Sequence, residues 1–156
     1  MIVKICGIQT DDTLICCNKN NVNFFGMIFY AKSPRNISIN NAKKLQEISE
    51  NLNIEGVGVF FNKNIDELEE IIKEIKLKFV QLHGSEDEIY VENLKKLNVK
   101  VIKSIAIENL NDLHKINNYK NVDYFLFDYK PLKNELPGGN AKSFDWNILK
   151  NLETNK

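Results

Sequence analysis

The sequence predicts an α/β fold in which helices cover a parallel β-sheet. Short apolar runs of about five residues alternate along the chain with longer segments whose apolar residues recur every three or four positions. Strict alternation of strands and helices is typical of a parallel sheet, because each helix carries the chain back to begin the next strand in the same direction. No linker interrupts the alternation, so we expect a single domain over residues 1–156.

Six strand–helix units follow one another along the chain. The predicted strands cover residues 2–6, 24–29, 56–61, 78–82, 100–104 and 124–128. The predicted helices cover residues 11–18, 41–52, 65–75, 85–97, 110–116 and 145–152. In the third helix the apolar residues form one face, and these residues are Ile65, Leu68, Ile72 and Ile75. Ser85 and Glu88 have the spacing of a capping box, which predicts where the fourth helix begins.

The composition excludes several kinds of protein. The chain carries 21 basic and 21 acidic residues, so it offers no net charge for binding nucleic acid. No stretch approaches the roughly 18 apolar residues of a membrane span, and the N-terminus lacks the pattern of a signal peptide. The three cysteines, including the adjacent Cys16 and Cys17, lack the spacing of metal ligands and are typical of reduced thiols. We therefore expect a cytoplasmic protein that binds no metal, nucleic acid or membrane.

Polar residues interrupt the predicted strands, although strands of a parallel sheet are normally apolar on both faces. They lie near the carboxyl ends of the strands, and those within one strand share a face. These residues are Lys4, Cys6, Gln81, His83, Lys103 and Asp128. Burying each of them alone would cost a few kcal/mol, whereas together they can satisfy one another if the strands converge. A (β/α)8 barrel makes the strands converge, and its active site lies at their carboxyl ends.

A doubly wound open sheet is the alternative architecture. It would spread the polar residues across its width instead of bringing them together. The dinucleotide-binding version also requires a Gly-x-Gly-x-x-Gly motif after the first strand, and this sequence has none there.

Each polar residue also has an ordinary structural interpretation. A cysteine at a strand end, such as Cys6, is usually a small core residue. His83 can belong to a turn, Asp128 can cap a loop, and an arginine such as Arg35 in a loop is usually solvated. An internal network that fixes strand register is our first interpretation of Lys4, Gln81 and Lys103.

Several short motifs, taken together, resemble one family of enzymes. They are Lys-Ile-Cys-Gly-Ile at 4–8, Ser-Pro-Arg at 33–35, Gly-Val-Gly-Val-Phe at 56–60, Val-Gln-Leu-His-Gly at 80–84, Ile-Lys at 102–103, Gly-Gly at 138–139 and Phe-Asp-Trp at 144–146. Their order and spacing over nearly the whole chain make the set far more specific than any single motif. The sequence resembles phosphoribosylanthranilate isomerase, a (β/α)8 enzyme family of tryptophan biosynthesis.

The resemblance implies a reaction and a set of site residues. The reaction is an Amadori rearrangement, an aldose–ketose type of intramolecular oxidoreduction that needs no cofactor. It converts N-(5′-phosphoribosyl)anthranilate, a small molecule, into 1-(2-carboxyphenylamino)-1-deoxyribulose 5-phosphate. On the same ground Cys6 is expected to be the general base, Asp128 the general acid, and Arg35 a contact to the anthranilate part. The other residues expected to bind substrate are His83, Gly138 and Gly139.

The residue types suit this chemistry. A carboxylic acid that a shielded site keeps protonated, here Asp128, can protonate the ring oxygen of ribose and open the ring. The resulting imine makes the C2 proton acidic. A thiolate on the opposite face, here Cys6, can remove that proton if nearby positive charge favours its formation, and Lys4 is the candidate for this charge.

The sequence departs from the family pattern in two places. Asn140-Ala141 follows the paired glycines where the family usually has Thr-Gly or Ser-Gly. The seventh and eighth strands, whose loops bind the substrate phosphate in the family, have no counterpart, and a (β/α)8 barrel needs at least about 200 residues.

We therefore expect an incomplete barrel of six βα units. Its open strand edges favour self-association or pairing with a complementing C-terminal fragment. Two alternatives remain at this point. One is a non-catalytic fragment from a truncated or split gene, and the other is a different phosphosugar isomerase, epimerase or lyase.

Overall fold

The computed structural model of the chain describes residues 1–132, 134–136, 138–140, 142–150, 152 and 154. The strands are β1 (Lys4–Cys6), β2 (Phe24–Phe29), β3 (Glu55–Phe60), β4 (Phe79–Leu82), β5 (Lys100–Ile107) and β6 (Tyr124–Tyr129). The α-helices are α1 (Asp11–Lys19), α2 (Ile39–Ser49), α3 (Ile65–Ile75) and α4 (Glu88–Lys95). Two 3₁₀ helices follow β5 and β6, at Leu110–Asn118 and Trp146–Leu149.

The six strands form one parallel sheet in the order β1-β2-β3-β4-β5-β6, which confirms the predicted α/β fold class. Each strand pairs with its sequence neighbour, and the helices pack their apolar faces on the sheet. Within the described residues, β1 and β6 are the two edges of the sheet. Residues of both edge strands nevertheless line the same cavity, so the sheet curves strongly, as part of a barrel.

Local sequence explains where some of the elements begin and end. The predictions for β2 and α3 agree with the structure at both ends. The side chain of Asn64 caps α3 by accepting hydrogen bonds from the backbone N–H groups of Asp66 and Glu67, and Leu68 and Ile72 are buried on the inner face of the helix. The sheet extends β5 to Ile107, beyond the predicted end at residue 104, because its last residues pair with β6.

The predicted capping box at the start of α4 is wrong. Asp87, rather than Ser85, is the capping residue, and its carboxylate accepts a hydrogen bond of 2.9 Å from the backbone N–H of Tyr90. The preceding Glu86 turns into the protein and pairs with Lys103, and the cap lies two residues after the predicted one.

The last two predicted helices are also corrected. The segment predicted as a helix at 110–116 is a 3₁₀ helix, Leu110–Asn118, which begins with a capping box between Asn109 and Asp112. The helix predicted at 145–152 is a single 3₁₀ turn, Trp146–Leu149, and residues 151 and 153 lie outside the described part of the chain. Ala141, which departs from the family pattern, also lies outside it. No helix among the described residues has the length and apolar character needed to span a membrane.

Candidate active site

A cavity of about 230 Å³ lies at the carboxyl ends of the strands. Apolar side chains of the strands, among them Ile28, Val59 and Leu126, form much of its wall. All six residues expected to act on or bind substrate line this one cavity, namely Cys6, Arg35, His83, Asp128, Gly138 and Gly139. Lys4 and Gln81 line it as well, whereas Lys103 does not. Most of the polar strand residues noted in the sequence therefore point into the cavity, whereas Lys103 pairs with Glu86 outside it.

Cys6 lies at the end of β1, beside Lys4 and opposite Gly26 of β2. The Lys4 ammonium and the Cys6 sulfur lie on the same side of the strand, against Gly26. Burial lowers the pKa of Lys4, while the sulfur of Cys6 opposes this change and the guanidinium of Arg35 adds to it. A Cβ at Gly26 would lie 2.8 Å from the Cys6 Sγ and 3.1 Å from the Lys4 Nζ, so the pair occupies the space that a larger residue would fill.

Arg35 is held over the mouth of the cavity instead of being solvated. Its Nη1 donates a hydrogen bond of 2.9 Å to the backbone oxygen of Cys6, and its backbone N–H donates to the hydroxyl of Ser33. The side chain packs on Gly7, where a Cβ would lie 2.5 Å from the Arg35 Cδ, and on Gly139, where a Cβ would lie 2.7 Å from Nη2. Both glycines have positive φ, at +85° and +76°, so a side chain there would be strained as well as crowded.

Asp128 lies in β6 and faces His83 across the cavity. The His83 Nε2 and the Asp128 Oδ2 are 3.5 Å apart, and the backbone N–H of Tyr129 donates a hydrogen bond of 2.8 Å to Oδ1. The hydrogen bond from His83 and the one from Tyr129 lower the pKa of Asp128 despite its partial burial. The sequence led us to expect that a shielded site keeps this carboxyl protonated, and the structure instead favours the carboxylate.

Gly138 closes the cavity next to this pair. A Cβ at Gly138 would lie 3.1 Å from the His83 Nε2 and 3.8 Å from the Asp128 Oδ2. The loop backbone can approach the His83 and Asp128 side chains this closely because the residue is glycine.

A buried ion pair lies behind the cavity. The sequence pointed to its lysine, Lys103, but not to its acidic partner, Glu86. Lys103 Nζ donates hydrogen bonds to Glu86 Oε2 at 2.8 Å and to the backbone oxygen of Gly84 at 2.6 Å, and both side chains are only 2% exposed. The Glu86 carboxylate also accepts hydrogen bonds from the backbone N–H groups of Asn62 and Gly84. This network fixes the loops after β3 and β4, and so it holds the backbone at Gly84, directly after His83. The need to neutralise a strand lysine was visible in the sequence, but the choice among the three consecutive acidic residues 86–88 was not.

Among the described residues, no group of three or more histidine, cysteine, aspartate and glutamate side chains is arranged to hold a metal ion. The ionisable groups of the cavity include one thiol, one carboxylate, one imidazole and two cations, contributed by Cys6, Asp128, His83, Lys4 and Arg35. Such a set can bind an anionic ligand and exchange protons with it.

Comparison with known proteins identifies the family. The profile of the family described as N-(5'phosphoribosyl)anthranilate (PRA) isomerase matches residues 3–156. The N-(5'-phosphoribosyl)anthranilate isomerase of Clostridium acetobutylicum is 38% identical over 148 residues, which are 95% of this chain and 69% of that protein. The enzyme of the same name from Brucella abortus is 38% identical over 154 residues, which are 97% of this chain and 69% of that protein.

Solved structures agree with this similarity. The phosphoribosyl anthranilate isomerase of Thermotoga maritima superposes with a TM-score of 0.83 at 29% identity, over 96% of this chain and 70% of that one. A phosphoribosyl anthranilate isomerase in complex with reduced 1-(o-carboxyphenylamino)-1-deoxyribulose 5-phosphate superposes with a TM-score of 0.80 at 27% identity, over 96% and 69% of the two chains. This chain thus spans 69% to 70% of the length of these relatives. Its sequence and its fold both show that the chain belongs to the phosphoribosylanthranilate isomerase family.

Proposed function

We propose that this chain supplies the proton-transfer residues for the Amadori rearrangement of N-(5′-phosphoribosyl)anthranilate to 1-(2-carboxyphenylamino)-1-deoxyribulose 5-phosphate in tryptophan biosynthesis. The observation that carries the proposal is that Cys6 and Asp128, from the two opposite edges of the sheet, line one cavity. A solved relative binds the reduced form of this product, which supports a small phosphosugar–anthranilate compound as the substrate here.

The proposed reaction needs one acid and one base. Asp128 donates a proton to the ring oxygen, the bond from C1 to that oxygen breaks, and the lone pair of the anthranilate nitrogen forms a C=N bond. Cys6, as the thiolate, removes the proton from C2, and the released electron pair forms a C1=C2 bond while the imine nitrogen regains its electrons. The enol hydroxyl at C2 then loses its proton as C1 gains one, which gives the ketone. No atom is gained or lost, as an isomerisation requires.

Substrate binding must change the protonation of Asp128 for this scheme to work. Without a ligand the contacts with His83 and Tyr129 lower its pKa and favour the carboxylate, which cannot donate a proton. The proposed substrate carries a carboxylate and a phosphate, and negative charge brought beside a carboxyl group raises its pKa. We propose that substrate binding in this way loads Asp128 with the proton that it later donates.

The other cavity residues are proposed to bind substrate. The planar guanidinium of Arg35 suits the planar carboxylate of anthranilate. His83 and Gly138 lie beside the reacting carboxyl of Asp128, whereas Gly139 lies against Arg35. We also propose that the protein works in the cytoplasm, which cell fractionation with an antibody to this chain would test.

The test is to measure turnover after replacing the two proposed proton-transfer residues. The chain would be supplied with the part of the Clostridium acetobutylicum relative that lies outside the matched region, and loss of substrate fluorescence would be followed. Cys6→Ala and Asp128→Asn should each lower turnover about a hundredfold or more. The matched controls Cys16→Ala and Asp12→Asn, both exposed on α1, should leave turnover unchanged. Near-normal turnover in either cavity variant would remove that residue from its proposed role.

A further inference from the structure

A triangle of polar atoms lies behind His83, on the side of the ring away from Asp128. The Gln81 Nε2 is 3.0 Å from the His83 Nδ1 and 3.2 Å from the Ser104 Oγ, and that hydroxyl is 3.0 Å from the same Nδ1. Gln81 and Ser104 are buried, at 2% and 8% exposure, so water does not compete for these hydrogen bonds. The proposed reaction assigns no role to either residue.

The hydrogens in this triangle determine which nitrogen of His83 carries the proton. An amide nitrogen can only donate, so the Gln81 Nε2 facing Nδ1 requires Nδ1 to be an acceptor. The hydroxyl of Ser104 accepts from Gln81 and is free to donate to the same Nδ1. The proton of a neutral His83 therefore lies on Nε2, the nitrogen that faces the Asp128 Oδ2 at 3.5 Å.

The charges near His83 are of both signs, so the hydrogen bonds at Nδ1 decide for the neutral imidazole. Arg35 and Lys4 already place two cationic side chains on the wall of the cavity, and the one carboxylate among the residues known to line it is Asp128. An imidazolium at His83 would add a third positive charge and would lose the hydrogen bond from the Gln81 amide nitrogen.

We propose that Gln81 and Ser104 are positioning residues that hold His83 as the neutral tautomer with its proton on Nε2, directed at Asp128. The part of this inference that concerns catalysis rests on the proposed function, whereas the tautomer itself does not. In this tautomer the Nε2–H of His83 faces the Asp128 carboxylate at 3.5 Å without adding positive charge, and Asp128 remains the group that exchanges the proton with substrate. A side chain at position 138 would crowd Nε2, because a Cβ there would lie 3.1 Å from it.

The tautomer can be read directly by long-range ¹H–¹⁵N correlation NMR of the full 156-residue chain labelled with ¹⁵N. The chain has only two histidines, so a His114→Gln variant assigns the signals of His83. We expect Nδ1 of His83 to resonate as an unprotonated nitrogen and Nε2 as a protonated one at neutral pH. Magic-angle-spinning NMR reads the same shifts if the chain self-associates.

Substitutions of Gln81 test the cause. Gln81→Glu keeps the shape of the side chain but replaces the donor with a carboxylate, so His83 should become protonated on Nδ1. Gln9→Glu makes the same change on an exposed side chain and should leave the His83 signals unchanged. In the complemented enzyme, Gln81→Glu should lower kcat more than it raises KM, and Ser104→Ala should give a smaller effect of the same kind.

Two results would overturn the inference. One is an imidazolium or a proton on Nδ1 in the unsubstituted chain at neutral pH. The other is a Gln81→Glu chain whose His83 signals match those of the unsubstituted chain. A correct tautomer in a chain that lacks isomerase activity even with the complementing fragment would count against the proposed function alone, because the NMR measurement does not depend on turnover.

Discussion

Gly26 of β2 lies directly opposite Cys6 of β1, and a Cβ at Gly26 would come within 2.8 Å of the Cys6 sulfur. Gly26→Ala should therefore push the thiol out of its position beside Lys4 and lower turnover of the complemented enzyme about tenfold or more, since a displaced base loses its alignment. The rate at which iodoacetamide alkylates Cys6 should also change. A variant with unchanged turnover and alkylation would show that the thiol has room to move without consequence, and a thermal melt serves as the control for folding.

Arg35 is expected to determine which ligands the cavity prefers. Loss of a hydrogen-bonded charge typically costs about 1.5–3 kcal/mol. Arg35→Ala should therefore weaken binding of anthranilate-type ligands about tenfold to a hundredfold, while ribose 5-phosphate is affected less. Arg35→Lys keeps the charge but loses the planar fork, so its affinity for anthranilate-type ligands should lie between those of the unsubstituted chain and Arg35→Ala. Binding of both ligand types can be measured by calorimetry, and equal weakening of both would mean that Arg35 only supports the loop through its bond to the Cys6 oxygen.

Asp112 makes the free energy of unfolding depend on pH in the acid range. Burial alone would raise its pKa, but hydrogen bonds from Lys115 and from the backbone N–H groups of Glu108 and Asn109 outweigh burial and lower the pKa to about 2. The carboxylate therefore stabilises the fold above the ordinary pKa of 3.8, and this contribution is lost as the pH falls from there towards 2. It amounts to about 2 kcal/mol at neutral pH.

The measurement for Asp112 is urea unfolding at several pH values. Asp112→Asn should destabilise the chain by about 2 kcal/mol at pH 7 and much less near pH 2, because the carboxyl is then protonated in the unfolded state and about half protonated in the folded state. Lys115→Met should reproduce part of the loss at neutral pH. A difference between Asp112→Asn and the unsubstituted chain that stays constant with pH would contradict this account.

The open edge at β6 is expected to control the behaviour of the 156-residue polypeptide expressed alone. Among the described residues β6 pairs only with β5, and Tyr124 on this strand is 40% exposed. An unpaired edge with apolar surface favours association, so we expect oligomers, poor solubility and little isomerase activity. Light scattering would measure association, and the fluorescence assay would measure activity, each with and without the complementing fragment from the Clostridium relative. The fragment should restore solubility and activity together. A monodisperse, fully active monomer without the fragment would contradict this prediction.

The sequence by itself determined the parts of this protein that depend on local pattern. The period of apolar residues placed β2 and α3 at their observed bounds, because a buried face forces regular spacing. The phase of the polar residues also predicted that Cys6 and Asp128 face one cavity, since alternate residues of a strand point the same way and parallel strands end at one edge.

Only the tertiary structure decided the features that depend on contacts between distant segments. Ser85 and Glu88 were assigned to a capping box, but Lys103, across the fold, draws Glu86 inward and Asp87 becomes the cap. Asp128 was expected to be protonated, and the approach of His83 favours its carboxylate. Local spacing carries no information on either contact, because a pKa and a buried ion pair are set by which charges the folded chain brings within a few ångströms of each other.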